Sequence, residues 1–324
     1  MAHMVETMAY AGETPWHGLG KKVPADLSPE QMLEAAGLDW EVEKRDLWFF
    51  DTNSEDSVTH APGKQVLVRT SDNQILDFVG DDWNPLQNRD AFEFFTDFVN
   101  AGDMSMDTAG SLEDGRRVWA LAKVNDAFEV FKDDVVENYL LFSNPHKYGM
   151  SIDVRMTPIR VVCNNTITLA LNLDASRMVK VNHRSVFDPD TVKETLGVAK
   201  EKLNQYKEAA KFLSKKKYKN ETLNEYLNKL WPASQNKIDK EAKKGNKIAV
   251  LSRTASQAAD IVNTQPGAEF GRGTWWQAFN AVTYMTDHIL GRGADTRINS
   301  AWYGINRTKK QNALKLAVEF AEAA

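Results

Sequence analysis

The chain has a single cysteine, Cys163, in 324 residues. A lone thiol forms no internal disulfide and excludes both a disulfide framework and a cysteine-rich zinc site. Long apolar runs are also missing: none approaches the roughly 18 residues that span a bilayer. The opening MAHMVETMAY has neither a basic n-region nor an apolar h-region. These absences predict a soluble, unexported protein with no membrane partner, at home in a reducing cytoplasm. The six histidines, His3, His17, His60, His146, His183 and His288, are scattered, with no pair at helical spacing. No metal centre is expected from them.

Two glycine-rich segments invite a cofactor reading and fail it. In PWHGLGKK (residues 15–22) a glycine precedes a lysine, but a Walker loop needs another glycine five residues earlier and a hydroxyl after the lysine; Pro15 and Lys22 stand there. GRGTWW (271–276) lacks the third glycine and the preceding strand of a dinucleotide fingerprint. No cofactor is expected. Cys163, Asn165 and His183 have the residue types of a thiol nucleophile system, but cysteine on an apolar strand reads as a small buried hydrophobe. No catalytic residues are assigned, and an enzyme built on the Trp16-His17-Gly18 loop is the least supported reading because no nucleophile, base and orienting group occur jointly.

What the chain does have is ordinary globular composition, 42% hydrophobic and 26% charged, with an uneven charge. Residues 1–143 hold 28 Asp plus Glu against 11 Lys plus Arg, net −17; residues 144–324 hold 17 against 29, net +12. A basic second half points to a polyanion, while the acidic first half solubilises the molecule or shields that surface.

The hydropathy pattern predicts an α+β fold: a strand-rich mixed core with flanking helices over 1–188, and a helical, Lys-rich region over 189–324 packed on it. Ser28, Pro29, Gln31 and Gly37 mark a short helix with a capping box and a glycine stop. Strands are expected at 40–50, 65–69, 75–79, 104–112, 116–124, 135–142, 157–163 and 178–185, with tight turns at 71–73 and 113–115. A helix runs from Asn88 to Gly102 with Phe92, Phe95, Phe98 and Val99 on its core face. Asn164 or Asn165 would cap a helix in TITLALNL. Helices follow at 190–213, 220–230, 254–263, 274–290 and 308–323, and the lysine-dense stretches 214–219 and 237–247 read as exposed connections.

Nucleic acid is the best-supported ligand class. Arg155, Arg160 and Arg184 would contact phosphates, Asn164 and Asn165 would donate amide hydrogen bonds, and Lys215, Lys216 and Lys217 would add salt-sensitive attraction. Trp275 or Trp276 would stack a base, although Trp276, Phe279, Val282 and Thr283 also fall at the spacing of a core face.

Five segments in order, MAHMVETMAYAGETPWHGLGKKV, WNPLQNRDAFEFF, GRRVWALAKV, TPIRVVCNNT and TWWQAFNAVTYMTDH, resemble the phage/plasmid-like protein family, a domain of unknown function found in bacteriophages, plasmids and prophages. The resemblance implies a mobile-DNA setting in a bacterial host and assigns no chemistry. In outline the chain is also similar to phage single-strand annealing proteins. The expectation is therefore a cytoplasmic single-stranded DNA-binding protein, possible as a homo-oligomer, assisting annealing or recombination. The competing expectation is an anti-restriction or anti-defence protein that binds a host or phage protein partner through an acidic, DNA-mimicking face.

Overall fold

A computed structural model describes residues 5–12, 15, 18–50, 58–160, 165–166, 179–243, 250–291 and 293–323. The fold is α+β. Its first helix, α1 (Pro29–Ala35), is set by its caps: Ser28 accepts from the Gln31 backbone at 3.2 Å while the Gln31 side chain accepts from the Ser28 backbone at 2.9 Å. Gly37 leaves the helix at φ +67°, in the left-handed region where a Cβ is strained. The helix buries Met32 and Leu33.

The main sheet is built from β1 (Val5–Tyr10), β2 (Lys21–Lys22), β6 (Met104–Leu112), β7 (Arg117–Phe131), β8 (Asp134–Pro145), β9 (Ile152–Arg160), β10 (Asn165–Thr166) and β11 (Val179–Val181). Its order is β10-β9-β8-β7-β6-β1-β2, with β11 also on β9. The β1–β2 pair is parallel; β1–β6, β6–β7, β9–β10 and β9–β11 are antiparallel. Glu113, Asp114 and Gly115 turn β6 into β7 with all three φ values positive, as Asp and Gly tolerate best. Gly110 is required by contact: a Cβ there would collide with the Trp119 ring and the Thr7 carbonyl. A second sheet pairs β3 (Val42–Phe50), β4 (Val58–Arg69) and β5 (Ile75–Val79) in sequence order.

The helix expected from Asn88 to Gly102 is two, α2 (Asn88–Glu93) and α3 (Thr96–Asn100). The break lets consecutive Phe94 and Phe95 both turn inward, against Phe142 at 5.4 and 6.1 Å between ring centroids. One straight helix would splay neighbouring side chains about 100° apart.

The helices of the second half are α4 (Pro189–Lys215), α5 (Asn220–Leu230), α6 (Gln235–Lys243), α7 (Arg253–Ile261), α8 (Trp275–Tyr284), α9 (Ala294–Trp302) and α10 (Ile305–Glu322), with a π-helical turn, Met285–Ile289, after α8. Two expectations are corrected here. Asn165 pairs with Arg160 and Thr166 with Ile159 in the β9–β10 ladder, so no helix begins at Thr166; the rest of TITLALNL, like Asn164, lies outside the described residues. The lysine-dense stretch from 237 is helical to Lys243, because Lys, Glu and Ala are good helix formers and Gln235 Nε2 donates to Asp239 Oδ1 one turn on, at 2.8 Å. α9 had no sequence signal.

The chain packs as two units. The first comprises Met1–Asn125, Tyr139–Arg155 and Asp174–Ala199; the second comprises Asp126–Asn138, Met156–Leu173 and Lys200–Ala324. The chain therefore passes between them more than once, and β7, β8 and β9 contribute residues to both. In the second unit α8 is buried on every side from Trp275 to Thr283, the mark of a central helix. Tyr226, Trp275 and Phe320 pack ring to ring around it. The outer end of the β7–β8 hairpin joins this core: Asp134, itself buried, accepts the Trp276 indole N–H at 3.0 Å.

Candidate functional site

The structure scatters the residues expected to hold nucleic acid. Arg155 lies on β9, 3% exposed, ion-paired at 2.9 Å with Asp153 two residues earlier on the same strand face. Its charge is spent inside the fold. Arg184 is exposed and pairs with exposed Asp82 at 2.9 Å, a screened surface contact. Arg160 and Asn165 stand opposite each other in the β9–β10 register; Asn164, like Cys163, Trp16 and His17, lies outside the described residues. Trp275 and Trp276 are fully buried, and in this packing neither offers a face to a base.

Trp275 does, however, hold the lysine run in place. Its backbone N–H donates to Lys216 O at 2.9 Å, and Tyr218 N–H donates to Gly273 O at 3.0 Å, forming an antiparallel bridge between Lys217 and Thr274. The segment leaving α4 is thus clamped to the segment entering α8. Lys217 Nζ donates to Arg272 O, and Lys216 Nζ rests 5.6 Å over the Phe212 ring. Buried Gln277 ties the clamp from below, accepting from Gly273 N–H at 2.8 Å and Tyr218 O–H at 3.2 Å while donating to Ala268 O at 3.1 Å. Burial pushes the Tyr218 phenol upward, so it stays a proton donor here.

The glycines of GRGT now have a reason that is not phosphate binding. Gly273 sits at φ +74°, and a Cβ at Gly271 would come within 2.7 Å of the Phe131 ring. The product is a corner carrying Lys215, Lys216, Lys217, Lys219 and Arg272, with no carboxylate in residues 212–220 or 270–277. All but half-buried Lys216 are exposed. Sequence reading found the lysines but not Arg272 as their neighbour, because the bridge that joins them spans 57 positions.

The first unit holds a second polar cluster that the sequence reading missed. WNPLQN (83–88), NPH (144–146) and NH (182–183) converge. Asn84 N–H donates to His183 O at 2.8 Å, His183 Nδ1 lies 3.0 Å from Asn84 O, and the Trp83 ring stacks on the imidazole at 4.1 Å. His146 Nε2 meets Asn88 Oδ1 at 2.9 Å, and Asn144 Nδ2 donates to Leu86 O at 2.8 Å. Complete burial, aided by neighbouring His183, pushes the His146 imidazole down to about 3. Burial lowers His183 too, although the carbonyls of Asn84 and Pro145 pull it back. Both rings are neutral at physiological pH. The paired Asn-Pro dipeptides were the available signal.

Beside this cluster a cleft of about 510 Å³ opens between Asn84, Phe94, Asp97, Phe187 and Lys193, with Lys193 Nζ on Asp97 Oδ2 at 2.5 Å. Its cation is already neutralised by a carboxylate. Among the described residues, no group of three or more His, Cys, Asp or Glu is placed to hold a metal ion, and no helix is long and apolar enough to cross a membrane.

A family model, Domain of unknown function (DUF932), matches residues 75–316. The chain belongs to that family. No curated protein and no solved structure matches the chain. The matched stretch contains the polar cluster, the cleft and the basic corner, while β3 and β4 precede it.

Proposed function

We propose that this is a single-stranded nucleic-acid-binding protein, encoded on phage or plasmid DNA, working in the bacterial cytoplasm to assist strand annealing or recombination. The observation that carries the reading is the basic corner: four lysines and an arginine held by backbone hydrogen bonds on one face of the second unit, without an acid among them. Cations fixed in place neutralise successive phosphates and release their counterions, which makes binding steeply salt-dependent. The interaction requires no nucleotide, and the bases stay available to pair. The phosphate contacts shift, relative to the sequence expectation, from Arg155 to Lys215, Lys217, Lys219 and Arg272. Arg184, exposed but paired with Asp82, is a peripheral contributor.

The test is a titration of labelled single- and double-stranded oligonucleotides at several salt concentrations, followed by an annealing assay. Four phosphate contacts predict a slope of log K against log salt of roughly −2.8 for a single strand. The triple variant K215E/K217E/R272E flattens that slope by about 2. Binding that is absent at low salt, or unchanged in the triple variant, overturns the assignment. In that event the acidic balance of residues 1–143 favours the second reading, a partner protein captured by a nucleic-acid-mimicking face, recoverable from nuclease-treated host lysate.

A further inference from the structure

The cleft beside the histidine cluster belongs wholly to the first unit. Its volume, about 510 Å³, is that of a ligand site. Along one wall Asp90, Glu93, Phe94 and Asp97 follow one another at the i, i+3, i+4, i+7 spacing, so α2 and α3 turn a single stripe toward it despite the break between them. The inner surface is apolar. Leu86, Phe94 and Ile152 are buried beneath it, and the half-buried Phe187 ring stands edge-on to Phe94 with centroids 6.2 Å apart. Val186, also on the lining, is 87% exposed, so the apolar surface runs out of the cleft onto the face of the molecule.

The charges around the cleft are uneven. Three carboxylates, Asp90, Glu93 and Asp97, face one ammonium, Lys193. Lys193 is already satisfied, with Asp97 Oδ2 at 2.5 Å and Asp190 Oδ1 at 4.0 Å. Among the described residues no cation pairs with Asp90 or Glu93, and neighbouring Arg89 is taken by Glu30. Both carboxylates are exposed. Standing over an aromatic floor, they repel phosphate and other anions and complement a cation carried on an apolar body. A guanidinium meets two carboxylates through its planar fork of N–H donors and lies flat against a ring, which an ammonium does less well. A small ligand filling the cleft would leave Val186 bare, whereas a polypeptide would cover it. We infer that the cleft receives an arginine side chain and the apolar residue next to it, presented by a partner polypeptide. Asp90 and Glu93 take the charge, and Phe94, Phe187 and Val186 make the apolar contact. This partner is independent of the nucleic acid proposed for the basic corner, whose cations belong to the second unit.

Titration of the full-length protein with acetyl-phenylalanyl-arginine amide, read by calorimetry and by the backbone amide resonances around the cleft, tests this. Binding is expected at low salt and should weaken with added salt, because the carboxylates are exposed. The same peptide with citrulline, which keeps the shape of arginine without its charge, should bind at least about fivefold more weakly. D90N/E93Q should lose about fivefold or more toward the arginine peptide, with unchanged circular dichroism because both side chains are exposed. V186S should weaken the peptide by roughly threefold while leaving benzamidine, a small aromatic cation, unaffected. Absence of binding at low salt overturns the inference, as does equal binding of the arginine and citrulline peptides or undiminished binding by D90N/E93Q. Benzamidine held as tightly as the peptide, with V186S altering neither, marks a site for a small free cation and overturns the polypeptide as its occupant. Resonance shifts confined to residues outside 84–97 and 185–193 place the arginine elsewhere and overturn it too.

Discussion

His146 makes the first unit acid-sensitive by an amount that can be worked out. In an unfolded chain its imidazole titrates near 6.5; in the fold, burial beside His183 and Trp40 brings it to about 3. Above pH 6.5 the ring is neutral in both states and stability is full. Between 6.5 and about 3 only the unfolded chain takes up the proton, so the fold loses about 1.4 kcal/mol per pH unit. Below that window both states are protonated and the loss saturates. At pH 4.5 the contribution is about 2.7 kcal/mol, two units below the unfolded value, and His183, lowered for the same reason, acts in the same direction. Carboxylates also titrate there, so the informative quantity is a difference between proteins. H146Q keeps an amide N–H for Asn88 Oδ1 and cannot titrate. Urea unfolding at pH 7.0 and 4.5, followed by tryptophan fluorescence, should show H146Q losing less stability on acidification than the wild type, by about 2.7 kcal/mol. Equal losses in the two proteins, or an imidazole resonance of folded His146 titrating near 6.5, would refute the reasoning.

Other perturbations probe the second unit. D287N leaves fully buried Lys310, whose Nζ lies 2.6 Å from the carboxylate, without its counter-charge, and should cost about 3–5 kcal/mol in urea unfolding, whereas D287L/K310M should cost far less; similar losses would show that the pair is not the source. W276F removes the indole N–H from buried Asp134 and should destabilise by about 1–3 kcal/mol, with an unchanged unfolding midpoint as the contrary result. G271A pushes a methyl against the Phe131 ring and should cost about 1–3 kcal/mol while weakening oligonucleotide binding by displacing Arg272; tighter binding would contradict the corner as described.

Legibility in the sequence followed distance along the chain. The α1 caps, the 113–115 turn and helices α4, α5, α7, α8 and α10 were readable because their causes lie within a few residues of the effect. The Asp153-Arg155 pair was readable in principle, since positions i and i+2 on a strand share a face, yet the arginine was assigned outward on charge alone. Trp275 and Trp276 illustrate the opposite limit: a helix buried all round has no polar side to reveal its orientation. The basic corner depends on a contact between segments 57 positions apart and the histidine cluster on contacts 58 and 99 positions apart, and no local pattern encodes such a meeting. α6 and α9 were hidden differently, by polar composition that suits a loop as well as an exposed helix.

The interleaving of the two units sets an order of events during synthesis. Residues 126–138, with Asp134 among them, leave the ribosome well before α8 exists to use them. The first unit is complete only when residue 199 has emerged, and until then its hairpin carries an anchor for a helix not yet made. A chain truncated after residue 199 would therefore display Asp134 and Phe131 with nothing to cover them. Residues 200–324 expressed alone would bury the Trp276 indole with no acceptor from the missing hairpin. Neither unit can be cut out along a single break in the sequence, and experiments meant to isolate the role of one unit will need point substitutions instead.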